Sequence, residues 1–251
     1  MLAEPRLVQH NLAIHFPRRP SIRREINVLE DALNAGCPGG YGTPQVVAIP
    51  DEVGPEIPRV IFSAVSGFSM ITVSQQVISL AVNYSPDWQV DREKCLSYLK
   101  RRAHVLFTML DRLEATSSYV GVATLLRVSS PQNDANEVLE PLKKLFSPSM
   151  PLADSNEISV RISKSINRSY FANATISSTM EWPIANVASG RFPLGEHISA
   201  NIDIAGDFNN RLAFNENSEA TVSLEGAVDM IDKAVVEVYG LMDLVKGVAN
   251  A

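Results

Sequence analysis

The sequence predicts an α+β protein in which long helices pack on one face of an antiparallel sheet. Three observations indicate this class. Two long stretches repeat apolar residues at helical spacing, and several short stretches alternate apolar with polar residues, as half-buried strands do. Short turns then separate consecutive strands, which is typical of an antiparallel meander. Consecutive antiparallel strands with flanking helices favour helices segregated to one sheet face.

The strongest periodic signal lies between Asp91 and Ala115. Its apolar residues recur every three or four positions: Leu96, Leu99, Ala103, Leu106, Leu110 and Leu113. That spacing over such a length excludes a strand and predicts one long helix. A second long helix is predicted from Ser223 to Val248, with an apolar stripe of the same kind.

The first half begins with a strand and a shorter helix. Leu12, Ile14 and Phe16 alternate with polar or small residues, which predicts a half-buried strand. Ser21 is a suitable N-cap for the helix that follows. The apolar stripe of that helix is formed by Ile22, Ile26, Leu29 and Leu33. A short strand at 45–49 and three further strands, at 59–66, 69–74 and 77–84, precede the long helix.

The same order of elements recurs after residue 116. A β-rich stretch at 119–128 precedes a helix that Asn133 or Asp134 can cap, and further strands at 158–162, 170–176 and 198–204 precede the last helix. We therefore predict two βα-βββ-α units, 1–116 and 117–251, related by a pseudo-twofold axis, and they could form one continuous domain. The alternative is a single α+β sheet in which similar elements happen to recur.

Several short segments resemble a sporadically distributed bacterial family of about this length that has no assigned activity. They are Pro58–Ser63, Val82–Tyr84, Trp88 and Ile202–Ile204, in this order along the chain. Family members often carry an aromatic or Arg-rich strand where this chain has 76–81. The resemblance implies fold and length, and it implies no catalytic residues. The duplicated order also resembles the TATA-box-binding protein, an analogy of topology that does not determine function.

Composition argues against several classes of protein. Lys plus Arg number 22 and Asp plus Glu number 28, so the formal net charge is −6, whereas proteins that grip phosphate backbones usually carry a basic excess. The two cysteines, Cys37 and Cys95, could form at most one disulfide. Neither a signal peptide nor an apolar membrane span is recognisable. We expect a cytoplasmic protein without a membrane partner.

Motifs for known chemistry are missing from the sequence. The four histidines and two cysteines follow no zinc-ligand spacing, and no phosphate-binding or nucleophile motif occurs. We therefore expect no metal, no cofactor and no catalytic residues. The one region that could hold an unfamiliar active site is the stretch from Cys37 to Glu56. Its composition predicts an exposed loop around Cys37, and it carries Asp51, Glu52 and Glu56.

One basic cluster is the candidate binding site. Arg18, Arg19, Arg23 and Arg24 lie on both sides of the start of the first helix. Positive charge there opposes the helix dipole, so the arrangement has a small local cost. Such a cluster could recruit an acidic protein, a phosphate or RNA.

The leading hypothesis is a non-enzymatic interaction or scaffold protein that binds another protein, or a second copy, through a sheet face or edge. A bacterial defence or toxin–antitoxin setting is one context for it. The first alternative is nucleic-acid binding through Arg18–Arg24. The second is an enzyme of unrecognised type with a site near Cys37–Glu56.

Overall fold

A computed structural model describes residues 2–147, 152, 154–167, 169–193, 195–217 and 219–249. The strands are β1 (Arg6–His15), β2 (Gln45–Val46), β3 (Val60–Ser63), β4 (Ser69–Val73), β5 (Val77–Asn83), β6 (Tyr119–Ser129), β7 (Ser159–Ile166), β8 (Tyr170–Glu181) and β9 (Ser199–Asn209). The helices are α1 (Ile26–Gly36), α2 (Pro86–Gln89), α3 (Arg92–Arg112), α4 (Ala135–Phe146), α5 (Ile184–Ala188), α6 (Arg211–Glu216) and α7 (Leu224–Ala249).

The strands form one antiparallel sheet in the order β2-β3-β4-β5-β1-β6-β9-β8-β7. At its centre β1 pairs with β6, and Ile14 lies opposite Val120. The flanking neighbours are β5 beside β1 and β9 beside β6. Strands from the beginning and the middle of the chain therefore meet at the centre, which sequence periodicity alone does not predict.

The four longer helices form the second layer. Helices α3 and α7 contact the sheet and each other, while α1 packs on α3 and α4 packs on α7. Side chains from both layers form the buried core, among them Leu12, Ile14, Leu80, Val122, Ile204, Leu99, Leu106, Ile231 and Val238. The α+β class, the large antiparallel sheet and the helices on one side are confirmed. No helix in the described part of the chain has the length and apolar character needed to cross a membrane.

Helix α3 shows how local sequence sets the ends of an element. The Asp91 carboxylate accepts a hydrogen bond from the Lys94 backbone N–H at 2.9 Å, which satisfies a helix N-terminal donor. The helix ends at Arg112, three residues before the predicted end, because Glu114 has a φ of 49°. A left-handed residue at this position stops a helix.

Helix α1 begins differently from the prediction. Ser21 does not cap it, because the Ser21 hydroxyl donates to the Glu25 carboxylate at 3.1 Å, and a 3₁₀ turn at Ile22–Glu25 precedes the α-helix. The short helices α5 and α6 were not predicted. Each has six residues or fewer, too few to display a helical period.

Gly206 allows α7 to pack closely against the sheet. A Cβ at this position of β9 would lie 2.5 Å from Val238 Cγ1. We expect Gly206→Ala to lower the free energy of unfolding by about 1–3 kcal/mol, because a packed core cannot absorb the extra methyl without a shift. The measurement is urea unfolding.

Gly240→Ala is the matched control for Gly206→Ala. Gly240 lies in α7, and a Cβ there would meet no atom within 4 Å. This change is expected to raise the free energy of unfolding by up to about 1 kcal/mol, because alanine favours a helix over glycine. Effects of the same sign and size at both positions would contradict the packing argument.

Candidate binding surface

The sheet face opposite the four longer helices, called the free face below, is the candidate surface. Its side chains alternate with the buried ones along each strand and remain half-exposed or exposed over most of the sheet. Its central members are Asn11, Ala13, Ser79, Ala81, Ala123, Thr175, Ala205 and Asp207. Most of these side chains are short, so the backbone of the central strands lies close to any molecule placed on this face.

The β3–β5 side of the free face is uncharged. One row across the sheet places Ala81 opposite Asn11 and Met70, and the next row places Ser79 opposite Ala13 and Thr72. The Thr72 and Ser79 hydroxyls are 2.6 Å apart and hydrogen-bonded, while the Met70 side chain is 40% exposed. This part of the surface can offer hydrogen bonds and apolar contact without the desolvation of an ion.

The β6–β9 side of the free face carries a charged cluster. Arg127 Nε and Nη2 donate to the two Asp203 carboxylate oxygens at 2.7 and 2.8 Å, and Arg127 Nη1 donates to Glu181 at 2.9 Å. The Thr179 hydroxyl donates to Asp203 at 3.0 Å. These hydrogen bonds, chiefly with Asp203, raise the pKa of Arg127. The bidentate geometry makes this cluster a rigid feature of the surface.

Asp207 provides a second, exposed carboxylate on the same side. Its oxygens accept hydrogen bonds from the side-chain amides of Asn173, at 3.2 Å, and of Asn209, at 3.1 Å. Asn173 lies opposite Asp207 on β8, and Asn209 lies two residues after Asp207 on β9. Among the described residues, the hydrogen-bond donors to this carboxylate are the neutral amides of Asn173 and Asn209.

The predicted arginine cluster lies near the β2 end of the sheet, and much of it faces the protein's own loops. Arg18 donates to the Gln75 side chain at 2.9 Å. Arg19 pairs with Glu25 at 3.3 Å, and Arg23 binds the carbonyl of Ile49 and lies 3.5 Å from the Asp51 carboxylate. Arg24 is exposed. The four arginines are near one another in sequence, but three of them already have partners.

The loop around Cys37 is exposed at Pro38, Gly39 and Gly42, as its composition predicts, but Cys37 itself is buried, at 7% exposure. The Arg102 guanidinium donates to Cys37 Sγ and stacks over the Tyr41 and Tyr98 rings at 5.2 and 4.7 Å from their centroids. The loop therefore folds back onto α3. Burial also lowers the pKa of Arg102.

The rest of the Cys37–Glu56 region is organised by a residue that the sequence did not single out. Asp51, Glu52 and Glu56 are exposed. The Arg59 side chain has 0% exposure, and its guanidinium donates to backbone carbonyls of the loop, including that of Ile57 at 2.7 Å. A buried arginine bound to loop carbonyls is a structural arrangement, and the Asp51 carboxylate, 3.8 Å from Arg59 Nε, adds an ion pair to it.

His10 and His15 lie on opposite faces of the sheet, as their spacing predicts. His10 is fully buried on the helix side, with Nδ1 3.1 Å from the Tyr84 hydroxyl, which itself donates to the Cys95 carbonyl at 3.0 Å. His15 is on the free face, and its ring centroid is 4.7 Å from that of Tyr119. Only His15 is placed to contact an external molecule.

Sequence reasoning missed Arg59, the Arg127–Asp203 pair and the group around His15. One signal was present for Asp203, which alternates with Ile202 and Ile204 and so had to face away from the core. No comparable signal existed for its partner, because Arg127 is 76 residues away. A pairing at that separation depends on which strands become neighbours.

Comparisons with known proteins add little to this geometry. No family model matches the chain, and no curated protein matches it. Among solved structures, the di-domain ARO/CYC protein StfQ from the steffimycin biosynthetic pathway aligns over 97% of this chain and 98% of its own, at 11% identity and a TM-score of 0.25. A likeness of that size carries no argument about fold or function.

Proposed function

We propose that this chain is a non-enzymatic interaction protein that binds another protein on its free face, and that it is built from two βα-βββ-α units, 1–116 and 117–251. The strand order supports the duplication. Within the sheet, β5 pairs with β1 and β9 pairs with β6, so each unit contributes its first strand to the centre and its last strand beside it. The TATA-box-binding protein provides the analogy for such a pseudo-twofold saddle.

The observation that carries the proposal is the uncharged part of the free face. Met70, Thr72, Ser79 and Ala81 form a continuous patch of small, polar and apolar side chains. Interfaces between proteins are depleted of charge at their centre and carry charge at the rim. The Arg127–Asp203 pair on the neighbouring strands would form part of such a rim. The partner we infer is a protein with a neutral, hydrogen-bonding surface.

Nucleic acid is a less suitable partner for the free face than a protein. Asp207 is an exposed carboxylate on the β6–β9 side, where it would repel a phosphate backbone, and the Arg127 guanidinium on that side is already paired with Asp203 and Glu181. Three of the four arginines at 18–24 are bonded to the chain itself. An enzyme with a site near Cys37–Glu56 is also less favoured, because the Cys37 thiol is buried. We propose a cytoplasmic location, which the two free cysteines, Cys37 and Cys95, support.

Ala81→Arg tests the free face directly. Ala81 is half-exposed in the middle of the uncharged patch, so a long charged side chain can extend outward without entering the core. Tagged protein is purified from its native host, and co-purifying proteins are quantified by mass spectrometry. We expect the amount of the partner to fall at least about tenfold, because burying an unpaired charge in an interface is costly.

Val236→Arg is the matched control for Ala81→Arg. Val236 is 62% exposed on α7, away from the sheet. This variant should retain the partner at the wild-type level. Retention by Ala81→Arg as well would contradict the proposal. A dimer mass by light scattering that Ala81→Arg reduces to a monomer would replace the inferred partner with a second copy of the chain.

A further inference from the structure

A cavity of about 430 Å³ lies where the free face meets α6. Four segments contribute to it: the end of β1, the β4–β5 turn, the start of β6, and α6. The lining residues are His15, Phe16, Gln76, Tyr119, Arg211 and Phe214, together with Ser118. A cavity of this size can hold a small organic molecule. Its walls are polar on the sheet side and include the partly buried Phe214, while Phe16 is almost fully buried at 3% exposure.

The sheet side of the cavity offers neutral hydrogen-bonding groups. Burial, and secondly the nearby Arg211 charge, lower the pKa of His15, so its imidazole is neutral at neutral pH. Burial, and secondly the Asp207 carboxylate, raise the pKa of Tyr119 against the opposing influence of Arg211, so its phenol keeps its proton. Each ring can therefore donate one hydrogen bond into the cavity, and the Gln76 amide can donate another.

Arg211 is the cation of the cavity. Its backbone N–H donates to the Asn209 side chain at 3.2 Å, and the Asn210 side chain accepts from the Val120 backbone N–H at 2.7 Å, so the start of α6 is tied to β9 and β6. Within the described residues, no carboxylate lies within 4 Å of the Arg211 guanidinium. The acid nearest in sequence, Asp207, is held by asparagine amides.

We propose that this cavity binds a small organic monoanion: a carboxylic acid whose carboxylate is held by Arg211, with Tyr119 and Gln76 as neutral donors, and whose apolar body lies against Phe214. A guanidinium forms paired hydrogen bonds with a carboxylate, and such charge-assisted bonds are among the stronger ones in proteins. The negative charge of Asp207 on the adjoining strand opposes a dianion. The site thus differs in ligand and residues from the uncharged patch proposed to bind a protein.

Benzoate is a suitable probe, followed by amide chemical shifts in ¹⁵N-labelled protein. We expect saturable shifts at Tyr119 and Phe214. Benzamide has the same shape without the charge and should bind at least about tenfold more weakly, because a charge-assisted hydrogen bond is replaced by a neutral one. Arg211→Gln should weaken benzoate binding by a similar factor, and Tyr119→Phe by a few-fold. Phe214→Ala should weaken both probes equally, because it removes only apolar contact.

Arg161→Gln is the matched control, since Arg161 lies on the same sheet face in β7, outside the cavity. It should leave benzoate affinity unchanged. Thermal unfolding of each variant shows that the fold is retained, which is expected because Arg211 is exposed. Equal affinities for benzoate and benzamide, or an unchanged benzoate affinity in Arg211→Gln, would overturn the proposal. Inorganic phosphate binding more tightly than benzoate would overturn the preference for a monoanion.

Discussion

Replacing Arg59 with alanine is expected to lower the free energy of unfolding by about 3–5 kcal/mol. The Arg59 guanidinium donates to the carbonyls of Ile57, at 2.7 Å, of Val53, and of Pro50 and Gly54, each at 3.4 Å. Alanine would leave these acceptors without their donor and would open a cavity where a large buried side chain had been. Urea unfolding followed by circular dichroism measures the loss.

Two further variants separate the role of Arg59 from a general loss of charge. Arg24→Ala removes an exposed arginine and is expected to change the free energy of unfolding by less than about 0.5 kcal/mol. Arg59→Lys keeps the charge but loses the planar fork of donors, so its effect should be intermediate. In limited proteolysis, the Arg59→Ala variant should be cleaved first within residues 50–57. If Arg59→Ala is as stable as Arg24→Ala, the loop does not depend on this residue.

Acid should destabilise the protein through His10. Burial lowers the pKa of His10 from 6.5 to about 3 in the folded chain. Above pH 6.5 the histidine is neutral in both states. As the pH falls below 6.5, the unfolded chain binds a proton that the folded chain refuses, so stability is lost progressively toward pH 3. Between pH 7 and pH 5 this group alone should lower the free energy of unfolding by about 2 kcal/mol.

The variant His10→Gln tests this origin of the acid sensitivity. Glutamine can still donate to the Tyr84 hydroxyl but does not titrate, so the loss of stability between pH 7 and pH 5 should shrink by about 2 kcal/mol. His104→Gln is the control, because His104 is exposed on α3. Some acid sensitivity should persist in His10→Gln, since burial also lowers the pKa of His15. Identical pH dependence in the two variants would rule out His10 as the source.

The sequence predicted which residues of one strand of the candidate surface face away from the core, but not which strands lie beside it. Alternation along 77–84 indicated that Ser79 and Ala81 face away from the core, and the structure places both on the free face. The neighbours of that strand could not be predicted, because strand order depends on how the whole chain packs. The pairing of β1 with β6 brings together residues more than a hundred positions apart, such as Ala13 and Gly121.

The arginine cluster shows a second limit of the same kind. Sequence identifies Arg18, Arg19, Arg23 and Arg24 as neighbours along the chain, and this much is correct. Whether such side chains face solvent depends on the path of distant loops. Here the segment that contains Asp51 passes beside them, and Arg23 lies 3.5 Å from its carboxylate. Charge density in sequence therefore does not measure charge available to a partner.

By itself, the sequence determined the elements whose pattern is local: the long helices α3 and α7 and the alternating strands. Each depends on residues within a few positions of one another, so the periodicity of apolar residues suffices to predict them. Only the tertiary structure decided that Arg59 is buried, that Cys37 is covered by Arg102, and that Arg211 meets His15 at the edge of the free face. These outcomes require contacts between segments far apart in the chain, and burial and pairing are properties of those contacts.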